Sequence, residues 1–143
     1  MTRNQWRTAA SILALALPYA TFTLLRHVLS LETLTRLAWQ APQLPRDPAQ
    51  DDVLARRIER MAQLVGAEAH CLPCSLVLYR ELSRRGANPE LLIGFSHNDR
   101  PLLGHAWVVV NGRALNESPS VLATLTPVCA FGVHGQRLPL PSA

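Results

Sequence analysis

Lysine is absent from all 143 residues, so every one of the 14 basic side chains is an arginine. The arginines are spread over helix faces and are not interleaved with aromatics, which leaves nucleic-acid binding only weakly signalled. The net charge of +4 reads as a solvated basic surface with a mild preference for acidic or peptide partners. Cysteine is scarce. Three thiols cannot all pair with one another, which excludes a secreted disulfide framework and fits a reducing, cytoplasmic compartment. There is no internal repeat. There is also no second paired motif to complete a four-ligand zinc site around His70, Cys71, Cys74 and Cys129, so no metal or other cofactor is implied. The length suits one core with a small helical appendage: a hydrophobic helical segment over 1–45, then a core over 46–143.

Between Thr8 and Leu25 the chain carries no charge, and Arg3 and Arg7 precede it. That resembles a signal-peptide or short membrane-span pattern. Pro18 interrupts it, however, and Thr8, Ser11, Tyr19, Thr21 and Thr23 dilute it. Amphipathic sequence continues through Leu29, Leu31, Leu34 and Leu37. A helical pair packing on the core or on a partner is the favoured reading, and membrane contact the less favoured one. Pro42 and Pro45 mark a linker. Asp47-Pro48-Ala49-Gln50 has the form of a capping box, with an acid at N-cap, proline at N1 and glutamine at N3. The helix it opens carries Leu54, Ile58, Met61, Ala62 and Val65 on one face and closes at Gly66.

Chemistry concentrates further on. Pro73 suits a first helical turn, and Leu72, Leu76, Tyr79 and Leu82 follow at near-helical spacing. Arg80, Arg84 and Arg85 suit the negative end of the helix dipole, and Gly86 and Pro89 stop the helix. Cys71 therefore stands at the positive end, which favours a thiolate and offers free N–H groups at Cys71 and Leu72 to an oxyanion. Glu90 to Ser96 reads as a buried strand, His97 to Pro101 as a turn, Leu103 to Val110 as a strand and Arg113 to Glu117 as the returning one. The fold class is thus α+β, with helices before a small antiparallel sheet. A thiol at a helix start and His105 on a strand form the two halves of a cysteine nucleophile, and an acid could complete a triad. A two-residue Asn111-Gly112 loop pairs Val110 with Arg113, placing Ser118 opposite His105 and Asn116 diagonal to it. A three-residue loop pairs Val109 with Arg113 and places Glu117 opposite His105. The second is preferred for the carboxylate it gives the imidazole, with Asn116 as the substitute. Trp107, an aromatic on an inner strand, is expected in the core. Residues 119–143 carry few signals: a short helix beginning within Leu122 to Leu125, and a frayed proline-rich tail from Arg137.

Bland readings stand beside these. A lone cysteine is more often a small buried residue than a nucleophile, and Cys129 is read that way. His27, His97 and His134 read as surface residues without partners. Cys71-Leu72-Pro73-Cys74 is also a C-x-x-C, the motif of thiol–disulfide exchange. Helices precede it where a first strand is expected, which weakens that alternative.

The stretch Cys71-Leu72-Pro73-x-Ser75-Leu76 to Gly86, then Gly104-His105-Ala106-Trp107-Val108 to Asn111-Gly112, then Leu115-Asn116-Glu117-Ser118, resembles the lasso-peptide leader peptidases. These are transglutaminase-like, papain-related proteins, and the match covers roughly residues 50–120. The resemblance implies a cytoplasmic cysteine peptidase that removes the leader from a ribosomally made precursor peptide. It further implies a separate leader-recognition protein that presents the leader, and a separate ATP-dependent cyclase acting afterwards. It assigns the nucleophile to Cys71, the base to His105 and the acid to Glu117; Leu72, Asn116 and Trp107 are the supporting residues that the reading of the residues themselves offers. Two positions depart from that pattern: glutamate stands at 117 where aspartate is usual, and Cys74 where arginine is common. An acyl transferase sharing the triad and a non-catalytic interaction module remain as alternatives.

Overall fold

The computed structural model describes residues 2–65, 71–97 and 104–140. Gly66, His70, the turn after His97, Leu103 and the last three residues lie outside the described residues. The helices are α1 (Arg3–Leu25), α2 (Leu31–Ala38), α3 (Asp51–Leu64), α4 (Cys71–Arg84) and the short α5 (Pro119–Leu122). The strands are β1 (Glu90–Ser96), β2 (Gly104–Val110), β3 (Arg113–Ala114), β4 (Leu125–Phe131) and β5 (Arg137–Leu138), in one antiparallel sheet of order β3-β2-β1-β4-β5. The architecture is α+β, as the residue pattern predicts.

Helix α4 is the hub. Leu76, Val77, Leu78, Tyr79 and Leu82 are all buried, because α1, α2 and α3 pack on it from one side and β1 and β2 from the other. An amphipathic stripe suffices for a helix on a surface. A helix enclosed on all sides must be apolar nearly all round, and its polar groups must find partners. Tyr79 donates its hydroxyl to the Gly132 carbonyl at 2.5 Å and accepts from the Gly135 N–H at 3.0 Å. Buried Glu81 collects Arg80, Arg84 and Arg85. Burial alone would raise its carboxyl, but the arginines bring it below the usual range. The three arginines expected to complement the helix dipole thus also serve a buried acid.

Helix α1 runs straight through Pro18, which was expected to interrupt it. The missing N–H costs one intrahelical bond, but Leu15, Tyr19 and Phe22 bury into the cluster that holds Leu76 and Leu91, and tertiary packing outweighs the loss. Thr2 and Gln5 form a reciprocal capping box at its start. Opposite the buried stripe, Trp6, Leu13, Leu17 and Leu24 are exposed. By length and composition alone α1 could cross a membrane.

Elsewhere the fold also departs from expectation. Asp47 caps a 3-10 turn over Pro48–Gln50, accepting from the Ala49 N–H at 3.1 Å, and α3 starts only at Asp51. Strand β4 has no clear sequence signal because Pro127 sits inside it. The proline is tolerated at a register irregularity opposite Ile93 and Gly94. Gly94 is required there: a Cβ would stand 2.3 Å from the Thr126 carbonyl oxygen. Arg137 and Leu138 do not fray but pair with Phe131 and Ala130. The short helix begins at Pro119, ahead of Leu122, with Ser118 as its cap. His97 and His134 are exposed but not alone: His97 hydrogen-bonds Thr126, and His134 stacks on Trp39 with ring centroids 3.9 Å apart. Cys129 is only half-buried.

Candidate active site

Cys71 is the first residue of α4. The first N–H groups of a helix have no intrahelical partner, which makes those of Cys71 and Leu72 candidate donors to charge developing beside the thiol. The Cys71 thiol is half-buried and donates weakly to the Gly104 carbonyl, 3.9 Å away. That contact brings the helix start against the first residue of β2, immediately before His105.

The hairpin that carries the imidazole is the tighter of the two anticipated. Asn111 and Gly112 both take positive φ, 52° and 76°, and Val110 pairs with Arg113. The preferred three-residue register is therefore wrong. Its consequence for the site nevertheless survives, for another reason. After Leu115, whose N–H reaches the Val108 carbonyl, the chain leaves the ladder. Strand β3 is two residues long, not five. Freed from pleat alternation, Glu117 turns to His105, and its Oε1 accepts from Nε2 of the ring.

Asn116 does not orient the imidazole. Its side chain replaces the lost ladder bond, with Oδ1 accepting from the Val108 N–H at 3.0 Å. Its Nδ2 donates to Ser75 Oγ at 3.1 Å, and Ser75 donates to the Ala106 carbonyl at 3.0 Å. These bonds tie α4, β2 and the Glu117 segment together. Ser75 was not singled out from sequence. The signal available was a hydroxyl inside an otherwise apolar helix, which must find a partner once buried.

Trp107 is buried but does not join the cluster of Val108 and Val110, because alternation along β2 puts it on the side of His105. Its ring lies nearly parallel to the imidazole, at 23° with centroids 6.2 Å apart.

With Nε2 committed to Glu117, Nδ1 is the nitrogen left for a thiol proton. Cys71 and His105 together line two cavities. One, of about 460 Å³, opens toward the α1–α2 connection, and the other, of about 190 Å³, toward α3. Cys74 lines the smaller one. Burial, with negative charge at Cys71 and Glu59, pushes its thiol up to about 11. Among the described residues no three histidines, cysteines or acids converge as a metal site.

A family model described as the transglutaminase-like superfamily matches residues 13–130. No curated protein and no solved structure matches the chain significantly.

Proposed function

Because the chain belongs to the transglutaminase-like superfamily, which takes in cysteine peptidases and acyl transferases, we propose that it is a cysteine peptidase and, more narrowly, a leader peptidase for a lasso precursor peptide. On this reading it works in the cytoplasm with a separate leader-recognition protein, and ahead of an ATP-dependent cyclase. The observation that carries the reading is the shared cleft. A thiol at a helix start and an imidazole fixed by a carboxylate open onto the same two cavities.

The chemistry follows from the atoms. His105 Nδ1 takes the Cys71 proton, and the thiolate attacks the scissile carbonyl. The N–H groups of Cys71 and Leu72 hold the oxygen as charge develops on it. The imidazolium then gives its proton to the leaving amine as the C–N bond breaks. Water, deprotonated by the same nitrogen, hydrolyses the thioester and restores the thiol. Glu117 keeps the proton on Nε2 throughout and stabilises the imidazolium. The thiol–disulfide alternative would need Cys74 as the resolving thiol, so a Cys74→Ser variant separates it from the peptidase reading.

Mass spectrometry of a reaction containing precursor peptide and recognition protein tests this. The expected result is one cut at the leader–core junction, lost in Cys71→Ala and kept in Cys74→Ser. A crosslinked product in place of two fragments would establish acyl transfer to an amine. No reaction by the wild-type protein with both components present would remove the peptidase reading.

A further inference from the structure

The two cavities beside Cys71 and His105 are not equivalent. The smaller carries Glu59, Cys74, Asn116 and Glu117 among its walls. The larger is walled by Leu29, Leu31, Leu34, Leu72 and Ile93, with Arg26 as its charged group. Its volume of about 460 Å³ lies within the range of ligand pockets, roughly 300–1,000 Å³, whereas the other, at about 190 Å³, falls below it. Three of the five aliphatic walls, and the guanidinium, come from the C-terminal end of α1, the turn after it and α2. The N-terminal helices therefore do more than cover α4.

We propose that this groove is the acyl-side subsite of the peptidase reaction, taking a large aliphatic residue at the carbonyl side of the scissile bond and an acidic residue next to it. The inference rests on the peptidase reading. The side is assigned by Leu72. Its N–H is one of the two oxyanion donors, and its side chain lines this groove and not the smaller hollow. On this proposal the residue whose carbonyl is held there places its side chain in the groove that Leu72 lines. Aliphatic walls reject a charged side chain, which would be buried unpaired. Arg26 supplies the exception at one point. Among the described residues its side chain bonds only His27, at 3.4 Å, and has no carboxylate within ion-pair distance. It is thus a guanidinium in want of an anion, beside a groove otherwise apolar.

Peptidyl chloromethyl ketones test this on the full chain without a known substrate. The Cys71 thiolate displaces chloride from the methylene, and the adduct is located by peptide mapping. Acetyl-Glu-Leu, acetyl-Glu-Gly and acetyl-Lys-Leu probes are compared, each rate divided by the iodoacetamide rate of the same protein. Leucine is expected to outpace glycine by about tenfold or more, and glutamate to outpace lysine by about two- to fivefold. Arg26→Gln should erase the second ratio and keep the first, and Leu29→Gln should shrink the first. Equal labelling by leucine and glycine probes, with Cys71 still outpacing Cys74 and Cys129 toward iodoacetamide, overturns the subsite and leaves the nucleophile standing. A leucine preference without a glutamate preference overturns the assignment of Arg26. Cys71 no more reactive than the other two thiols overturns the peptidase reading itself, and the subsite falls with it.

Discussion

Glu117 reaches His105 from a segment that has already left the sheet, so the bond between them depends on Asn116 holding that segment down. Glu117→Gln removes the charge opposite the imidazolium and keeps an acceptor for Nε2. Turnover should fall about 10²-fold or more with KM nearly unchanged, measured by steady-state cleavage of the precursor. Asn116→Ala should lower both turnover and thermal stability, since it frees the segment and strands the Val108 N–H. A turnover matching wild type in Asn116→Ala would separate the strut from the chemistry. Cys71 and His105 were legible in sequence because local rules place them: proline in the first turn, glycine beyond the last, and Asn-Gly at the hairpin. Glu117 was legible as chemistry only, since the register argument that selected it does not hold. Arg26 was not legible at all, because nothing near it in the chain reveals what it faces, and Ser75 showed only as a hydroxyl within a helix, with nothing nearby to name its partner.

Helix α4 and the turn at 132–135 are held together by one phenol. Tyr79→Phe leaves the Gly132 carbonyl and the Gly135 N–H without that partner, and should cost about 1–3 kcal/mol in denaturant unfolding. Gly135→Ala should be worse. The residue has φ +66°, and a Cβ would stand 2.6 Å from the backbone nitrogen of Arg36 in α2. A wild-type unfolding midpoint in either variant would show that the turn is not anchored this way. Among the elements, the long helices and β1 were readable from periodicity and punctuation. Strand β4 was not, because Pro127 argues against a central strand until the register irregularity that accommodates it is seen. Pro18 misleads in the same manner: its local cost is real, and the burial that offsets it comes from residues far along the chain.

For the molecule as a whole, stability should fall in alkali. Cys74 is raised from 9.0 to about 11, and burial raises Tyr79 from 10.0 to about 12. Both are acids that keep their protons in the folded state and release them on unfolding. Their contribution is complete below about pH 9 and is lost as pH rises through 9 to 12. Melting temperature should decline over that range, and Cys74→Ser should flatten the part between 9 and 11. An unchanged profile in that variant would place the titration elsewhere. The α+β class and the order of helices before sheet were legible from the whole chain, but the way α1 and α2 curl back to wall the cleft was not. That arrangement divides labour along the chain. In the subsite proposed above, residues 26–34 supply the guanidinium and three of the five aliphatic walls, and Cys71, His105 and Glu117 all lie beyond them. Recombining the earlier stretch between relatives would exchange substrate choice while leaving the reacting atoms where they are, so selectivity and reactivity in this fold are free to evolve, or be engineered, one at a time.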